Sequence, residues 1–203
     1  MYVEREWRFR LTEDRYRRLK CEFDWSPPVR VIDVTLGLDG PVSMKTQGWV
    51  ARLRWVDGVS ALQYKGATAA ENAYLEAEVG VETVRGAAEV LSLMGLRLGL
   101  VIDRTRRSVR VRDALLTLDD VAGLGTFVEV ELCGGAADHE LSVLAAELGL
   151  AESCPAYGDQ ILHSVESSPE WAERYARAKV EVISELGLER VLAVEDAGQP
   201  TRS

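Results

Sequence analysis

The 203-residue chain has few of the side chains that build covalent or metal-bound frameworks. Its three cysteines, Cys21, Cys133 and Cys154, lie far apart and share no paired spacing. That arrangement excludes a disulfide framework and a zinc ribbon, and we expect free thiols in a reducing compartment. The chain contains only two histidines, so a metal site built from several histidines is excluded as well.

Long apolar segments are also missing. The first ten residues, MYVEREWRFR, carry five charged side chains and lack the apolar core of a signal peptide. No uncharged apolar run reaches the roughly 18 residues that a membrane-spanning helix requires. We therefore expect a cytoplasmic protein that has no membrane partner.

Positive charge is scarce overall and unevenly distributed. The chain has 24 Lys and Arg against 33 Asp and Glu, which gives a net charge of −9. Residues 1–112 hold 19 basic and 15 acidic side chains, whereas residues 113–203 hold 5 and 18. The acidic total argues against a protein that coats nucleic acid. Any anion-binding site is expected in the first half of the chain.

What the chain does contain is a series of short segments that alternate between polar and apolar residues, which is typical of β-strands. Asp57-Gly58 between two of them is a strong hairpin signal. A turn is predicted at Asp119-Asp120 with Gly123–Gly125, although Asp119 is also considered as a site residue. Strands are predicted over residues 2–11, 29–36, 48–56, 60–65, 73–79, 97–104, 108–112, 115–118 and 126–132, those at 97–104 and 108–112 as a hairpin.

Helical spacing is typical of the later part of the chain. Thr12 is predicted to cap a short helix whose first turn holds Glu13 and Asp14. Further helices are predicted over residues 84–94, 136–148, 157–165 and 169–186. We expect one α+β domain over residues 1–190 and a disordered C-terminal tail over 191–203.

The polar strand faces carry matched charged pairs, and a spacing of two places both members on one face, roughly 7 Å apart. Outward-pointing pairs would form only a polar surface, whereas inward-pointing pairs would line the lumen of a closed antiparallel barrel. Converging carboxylates favour a hard divalent ion such as Mg²⁺ or Mn²⁺, and guanidinium groups match phosphate oxygens. In the barrel we expect a lumen opposite in sign to the acidic exterior. The pairs are Glu4/Glu6, Arg52/Arg54, Glu76/Glu78, Arg104/Arg106 and Glu129/Glu131.

These segments resemble, in order, the motifs of the CYTH superfamily, the triphosphate tunnel metalloenzymes. Glu4-x-Glu6-x-Arg8 is similar to the family's ExExK signature, and Gln63-Tyr-Lys65-Gly66 is similar to its TyKG strand. The stretch from Leu118 to Glu131 is similar to its pattern lD-x-v-x-gLG-x-fvEiE. The other matching stretches are Val50–Arg54 with Asp57-Gly58, Leu75–Glu78 and Arg104-Thr-Arg106.

The resemblance, which runs from about residue 2 to about residue 165, implies a closed eight-stranded antiparallel β-barrel with helices packed outside. It also implies a catalytic role for Glu76 and Glu78, which would serve a second metal ion or orient a nucleophilic water. The implied metal ligands for Mg²⁺ or Mn²⁺ are Glu4, Glu6, Glu129 and Glu131. The implied ligands of the phosphate oxygens are Arg8, Arg52, Arg54, Lys65, Arg104 and Arg106.

Three positions depart from the family pattern. Arg8 replaces the signature lysine, Arg104 replaces the lysine of a KxR motif, and Tyr74 replaces an arginine. Arginine keeps the charge of lysine but does not lose its proton at ordinary pH. If the family lysine activates water, Arg8 would therefore do so poorly as a catalytic group, and Tyr74 would remove one positive charge.

Three functions are considered: the resemblance implies the first two, and the departures at Arg8 and Tyr74 favour the third. The first is a divalent-metal-dependent phosphohydrolase that acts on tripolyphosphate, thiamine triphosphate, ATP or another nucleoside triphosphate. The second is an adenylate cyclase that releases cyclic AMP and pyrophosphate, although no element similar to the HFRR sequence of class IV cyclases is evident. The third is a noncatalytic module that binds polyphosphate or a nucleotide. The C-terminal helix would cover one mouth of the tunnel or form a homodimer.

Overall fold

The fold is given by a computed structural model that describes residues 2–70, 72–132 and 138–191, with side chains except at 138–141. Cys133 and nearly all of the predicted tail over 191–203 lie outside the described residues. The strands are β1 (Tyr2–Arg10), β2 (Val29–Gly37), β3 (Trp49–Val56), β4 (Val59–Ala67), β5 (Ala73–Val81), β6 (Arg97–Val111), β7 (Ala114–Val121) and β8 (Gly125–Leu132). The helices are α1 (Glu13–Glu22), α2 (Ser43–Gln47), α3 (Val84–Leu93), α4 (Asp138–Glu147), α5 (Tyr157–Ser167) and α6 (Pro169–Glu185).

The eight strands form one closed antiparallel barrel in the order β1-β5-β4-β3-β2-β6-β7-β8. The barrel closes through β1, which pairs with β5 on one side and with β8 on the other. The closed eight-stranded α+β architecture expected from the sequence is therefore confirmed. Because inward and outward side chains alternate along every strand of a barrel, each strand gives one face to the lumen.

Three apolar clusters pack the barrel against the helices, two on its outward faces and the third at one mouth. The first joins β2, β3 and β6 to α3 and the end of α6, with Ile32 and Leu53 fully buried. The second joins β1, β7 and β8 to α1 and α4, and the third places α5 and α6 against Phe127 near the β7–β8 turn. Most of the apolar core therefore lies outside the barrel and the lumen is mainly polar, except where Leu100 and Ile102 of the third cluster also line it.

Local signals explain where several elements begin and end. The Thr12 side chain accepts a hydrogen bond from the backbone of Arg15, as expected of the cap of α1. Asp57 and Gly58 both have positive φ angles, 46° and 89°, which the tight turn between β3 and β4 requires. The predicted cap and hairpin are both confirmed. In the part of the chain described, no helix is long and apolar enough to cross a membrane.

One predicted turn is wrong and another is right only in part. The hairpin expected between residues 104 and 108 does not exist, because β6 is one strand of 15 residues, and its residues 104–111 pair with β7 without interruption. The segment Arg-Arg-Ser in its middle lacks the Gly, Asn or Pro that a turn needs. The turn between β7 and β8 falls at residues 122–124, so its Gly123-Leu124 part is confirmed, whereas Asp119 and Asp120 lie inside β7. A short helical segment, Gly40–Val42 followed by α2, was not predicted.

Candidate active site

The lumen of the barrel encloses a cavity of about 310 Å³, which is at the small end of the range for small-molecule sites. Both members of each of the five charged pairs line it, together with Arg8 and Lys65, so the five pairs point inward. These residues are Glu4, Glu6, Arg8, Arg52, Arg54, Lys65, Glu76, Glu78, Arg104, Arg106, Glu129 and Glu131.

The expectation of an oppositely charged, positive lumen is wrong, because basic and acidic side chains there nearly balance. The arginines on the strands are matched by carboxylates on facing strands, which a reading of one strand at a time does not reveal. The basic lining residues are Arg8, Lys45, Arg52, Arg54, Lys65, Arg104 and Arg106. The acidic lining residues are Glu4, Glu6, Asp33, Glu76, Glu78, Glu129, Glu131 and Asp159.

Glu129 is held from two sides by arginines. Nε of Arg8 donates to Oε1 of Glu129 at 2.7 Å, and Nη2 of Arg8 donates to the same oxygen and reaches Glu6 at 3.3 Å. The other oxygen accepts from Arg106 and, at 3.3 Å, from the hydroxyl of Thr117. Burial alone would raise the pKa of Glu129, but Arg8 and Arg106 hold it well below its usual range. Both oxygens of this ionised carboxylate are therefore occupied.

Lys65 gathers three carboxylates around one ammonium group. Its Nζ lies 2.8 Å from Glu4, 3.1 Å from Glu6 and 3.0 Å from Glu76. Burial, with Glu6 and Glu76 adding to it and Lys65 opposing it, raises the pKa of Glu4 to about 8. The ring of Tyr74, which stands in place of the family arginine, lies 4.2 Å from the same Nζ. Near the start of β1, three carboxylates therefore share the single positive charge of Lys65, and negative charge is in excess there.

Glu131 shows the same excess of negative charge. It lies directly opposite Glu6 in the β1–β8 ladder. Burial and the charges of Glu6 and Glu76 raise its pKa. Within the described residues it has no ion pair. Among the same residues, no group of three or more His, Cys, Asp or Glu side chains is arranged so that it could already hold a metal ion.

Asp33 is a site residue that the sequence analysis missed. It is 1% exposed, accepts two hydrogen bonds from Arg54 at 2.7 and 3.0 Å, and lies 2.8 Å from Nη2 of Arg104. Although burial opposes its ionisation, Arg104 and Arg54 hold its pKa well below the usual range. The available signal was a single acid in the otherwise apolar run Val-Ile-Asp-Val, two positions before Thr35.

Asp119, which the sequence left open as a turn cap or a site residue, and Tyr157, which no motif indicated, form a second group at the lumen. Asp119 is fully buried and accepts two hydrogen bonds from Arg106, at 2.7 and 2.6 Å. Of its two possible roles, contact with the lumen arginines is therefore the observed one, and a turn cap is not. The hydroxyl of Tyr157, at the start of α5, donates to Asp119 at 2.9 Å. The Arg8 guanidinium lies 4.0 Å from the centre of the Tyr157 ring. Helix α5 therefore contributes directly to the arginine cluster, and no motif around Tyr157 indicated it.

Arg104 has hydrogen-bond donors inside the lumen that lack an acceptor. Its Nη2 pairs with Asp33, yet Nε and Nη1 are buried and have no hydrogen-bond acceptor. Nε lies 3.4 Å from Asp119, outside hydrogen-bond geometry. A buried donor without a partner costs roughly 1–3 kcal/mol, and more for a charged group. An anion in the lumen would satisfy these donors.

Glu76 and Glu78, on β5, differ in their surroundings. Glu76 is buried and bonded by Lys65 and by Arg52, at 3.0 and 3.3 Å, and despite burial these cations lower its pKa. Glu78 is exposed at the opposite mouth from α5 and accepts a hydrogen bond from the Gln63 amide, which Arg52 in turn contacts at 2.6 Å. Of the two, Glu78 is the carboxylate open to water.

Taken together, these features define a class of protein: a closed antiparallel barrel whose lumen is lined by interlocked arginine, lysine and carboxylate side chains. The chain belongs to the CYTH family, because the sequence model that describes the family's CYTH domain matches residues 4–153. Comparison with curated protein sequences gives no match.

Solved structures share this fold. The PH1819 protein of Pyrococcus horikoshii is 24% identical, with a TM-score of 0.69 over 79% of this chain and 99% of that one. A candidate adenylate cyclase of Vibrio parahaemolyticus is 19% identical, with a TM-score of 0.65 over 79% and 98%. HpAC1 of Hippeastrum, a candidate adenylyl cyclase described as having a dominant triphosphatase activity, is 16% identical, with a TM-score of 0.60 over 81% and 96%. At these identities the likeness concerns the fold alone.

Proposed function

We propose that the protein is a divalent-metal-dependent phosphohydrolase whose substrate carries a triphosphate and is held inside the barrel. The observation that carries this proposal is Arg104, with two buried guanidinium nitrogens that lack acceptors inside the lumen. Phosphate oxygens match guanidinium donors in geometry and charge. The substrates in question are tripolyphosphate, nucleoside triphosphates and thiamine triphosphate.

The chain's own cations would bind the phosphate oxygens. Arg8 remains charged, because Glu129 and Glu6 raise its pKa although burial opposes this. It therefore binds phosphate and takes up no proton, which agrees with the expectation that it activates water poorly. The proposed phosphate ligands are Arg8, Arg52, Arg54, Lys65, Arg104 and Arg106.

The donor chemistry of the lumen fits a hard divalent cation. A triphosphate adds about four negative charges to a lumen whose own charges nearly balance, so a cation must accompany it. Glu4, Glu6 and Glu131 supply carboxylate oxygens where negative charge is in excess, and Mg²⁺ and Mn²⁺ prefer such ligands. Glu129 would join them only by giving up a contact with Arg8 or Arg106. The bound ion would neutralise charge that develops on the phosphates.

The attacking water would be positioned by the carboxylates of β5. Glu78 is open to solvent and is fixed by the Gln63 amide, so it can accept a hydrogen bond from a water at that mouth. Glu76 is held between Lys65 and Arg52 and keeps these two cations in place. In-line attack then depends mainly on positioning and on the surrounding positive groups.

The closest alternative is cyclisation of ATP, because the same lumen would hold the triphosphate of a nucleotide. The likeness to candidate adenylate cyclases keeps this alternative open, and the reported triphosphatase activity of HpAC1 favours hydrolysis as the first expectation. The two reactions differ in their products. Hydrolysis of ATP releases orthophosphate and ADP, whereas cyclisation releases pyrophosphate and cyclic AMP.

The test is a panel of tripolyphosphate, thiamine triphosphate, ATP and other nucleoside triphosphates, each with Mg²⁺ or Mn²⁺ and with products identified. Metal-dependent release of orthophosphate supports the proposal, and Glu129→Gln should abolish it because Arg8 and Arg106 lose their shared anchor. Glu82→Gln, on the surface between β5 and α3, is the control. Cyclic AMP would establish the alternative, and tight binding without turnover would establish a noncatalytic module.

A further inference from the structure

The lumen changes from charged to apolar towards one of its ends. Along β6 the lining residues run Leu100, Ile102, Arg104 and Arg106, so the two apolar side chains precede the two arginines. Along β3, Val50 precedes the arginine pair in the same way. The starts of β3 and β6 both adjoin the end of β2. The apolar positions therefore lie together at one mouth.

Two helical segments frame this mouth. Pro41 and Met44, from the segment that leads into and forms α2, line it on one side, and Leu162 of α5 lines it on the other. Nζ of Lys45 on α2 lies 3.9 Å from Oδ1 of Asp159 on α5, so the two helices meet across the opening. We call this region the α2–α5 mouth.

Helix α5 approaches the barrel wall closely at the same place. A Cβ atom at Gly158 would lie 3.2 Å from Cδ1 of Leu100, which is tighter than ordinary contact. The absence of a side chain at Gly158 thus lets α5 rest on the apolar lining of β6. The opposite mouth differs, because Glu78, Glu131 and Arg54 dominate its lining, with Tyr2 and Leu115 beside them.

We propose that the α2–α5 mouth binds the organic group of the substrate, so that the preferred ligand is an organic triphosphate and not bare tripolyphosphate. This inference rests on the proposed function, since the charged part of the lumen must hold the phosphates. A bare polyphosphate gains nothing from the half-buried side chains of Met44, Leu162 and Ile102. A nucleoside or a thiamine-like ring would bury them, which is favourable in proportion to the apolar area removed from water.

The test compares tripolyphosphate with ATP and thiamine triphosphate in Met44→Ser and Leu162→Ser, by calorimetric titration of each ligand with Mg²⁺. We expect each variant to bind the preferred organic triphosphate about tenfold more weakly, equivalent to ~1.4 kcal/mol. Binding of tripolyphosphate should not change. Met94→Ser is the matched control, because Met94 is 67% exposed at the end of α3, away from the lumen lining.

The outcomes separate this inference from the proposed function. Equal weakening of tripolyphosphate and organic triphosphates, or no weakening of either, would overturn the role of the α2–α5 mouth while leaving the triphosphate site intact. Tighter binding of tripolyphosphate than of both organic ligands by the unaltered protein would overturn it as well. Failure of the unaltered protein to bind any of the three ligands would instead refute the proposed function, and this inference with it.

Discussion

Arg8 and Glu129 face each other across β1 and β8, and Nε of the arginine lies 2.7 Å from the carboxylate although 121 positions separate the two residues. The contact is a fork, because Nη2 of Arg8 reaches the same oxygen. The family signature has lysine here, and a lysine ammonium cannot reproduce a two-nitrogen contact. The arginine that replaces the signature lysine at position 8 is therefore matched in this chain by the Glu129 carboxylate.

Replacing Arg8 with lysine tests that partnership. We expect Arg8→Lys to lower the free energy of unfolding by about 1–3 kcal/mol, because a hydrogen bond to a buried charged group is lost. Urea unfolding followed by circular dichroism gives the value. Arg17→Lys, in an exposed pair with Glu13 on α1, should change it by less than about 0.5 kcal/mol. Equal stability of the Arg8 variant and the unaltered protein would show that the fork contributes nothing.

Asp33 offers a test of the buried ion pairs. Asp33→Asn leaves Arg54 and Arg104 without their buried anion and should cost about 3–5 kcal/mol at pH 7. The matched control is Asp103→Asn, which removes the partner of Arg30 on the outer wall, where both side chains are partly exposed. A pair of that kind contributes about 0–1 kcal/mol.

The same variant predicts a pH dependence. The pKa of Asp33 is lowered in the folded state, so its stabilising contribution is complete above the unfolded value of about 3.9. The contribution then decreases as the pH falls towards the folded pKa. The stability difference between Asp33→Asn and the unaltered protein should be constant from pH 8 to pH 5 and shrink below about pH 4. A difference that grows on acidification would contradict this assignment.

Glu131→Gln separates metal binding from stability. Removing one carboxylate from the region of excess negative charge should weaken Mn²⁺ binding about tenfold, which corresponds to ~1.4 kcal/mol. Electron paramagnetic resonance of free Mn²⁺ during a titration measures this. Undiminished Mn²⁺ affinity would remove Glu131 from the proposed ligands.

Glu131→Gln should weaken Mn²⁺ binding but should raise the free energy of unfolding of the metal-free protein. Because the folded pKa of Glu131 is raised, its ionised form destabilises the fold above that pKa, and this effect is absent at low pH. Glu131→Gln should therefore be more stable than the unaltered protein at pH 8, and the two should converge below pH ~4. Glu82→Gln, exposed and outside the lumen, is the control for both measurements.

Tyr74→Arg restores the charge that the family pattern has before its ExE strand. The new guanidinium would lie near Lys65, where the ring now contacts the ammonium, so the ligand-free protein should become less stable. Tripolyphosphate binding should strengthen about tenfold at low salt, equivalent to ~1.4 kcal/mol, and the gain should diminish as salt is added. Tyr74→Phe keeps the ring and should bind tripolyphosphate like the unaltered protein. Weaker binding by Tyr74→Arg would exclude a phosphate near this position.

Period-two alternation predicted most strands, because each strand carries its own pattern. It left open whether the charged pairs point inward or outward, and only the resemblance to the CYTH family implied the inward direction. The pairing of Arg54 with Asp33, and of Arg106 with Asp119, depends on which strands become neighbours and in what register. Those partners lie 21 and 13 positions apart, and Arg8 and Glu129 lie 121 apart. Neutralisation of the lumen is therefore a property of the closed barrel and is not visible in any one segment. Tyr157 was missed for the same reason.

The position of β1 between β5 and β8 has a consequence for how the chain folds. Residues 2–10 must pair both with residues 73–76 and with residues 127–131, so the barrel cannot close until synthesis has passed β8. Contacts of such long sequence separation slow folding, since the intervening chain must be ordered first. Until β8 is made, β1 and β7 are the unpaired edges of the open sheet, and such edges favour association with other chains. During synthesis β1 is made before both of its partner strands, and it can pair with β8 only after about 120 further residues have been made.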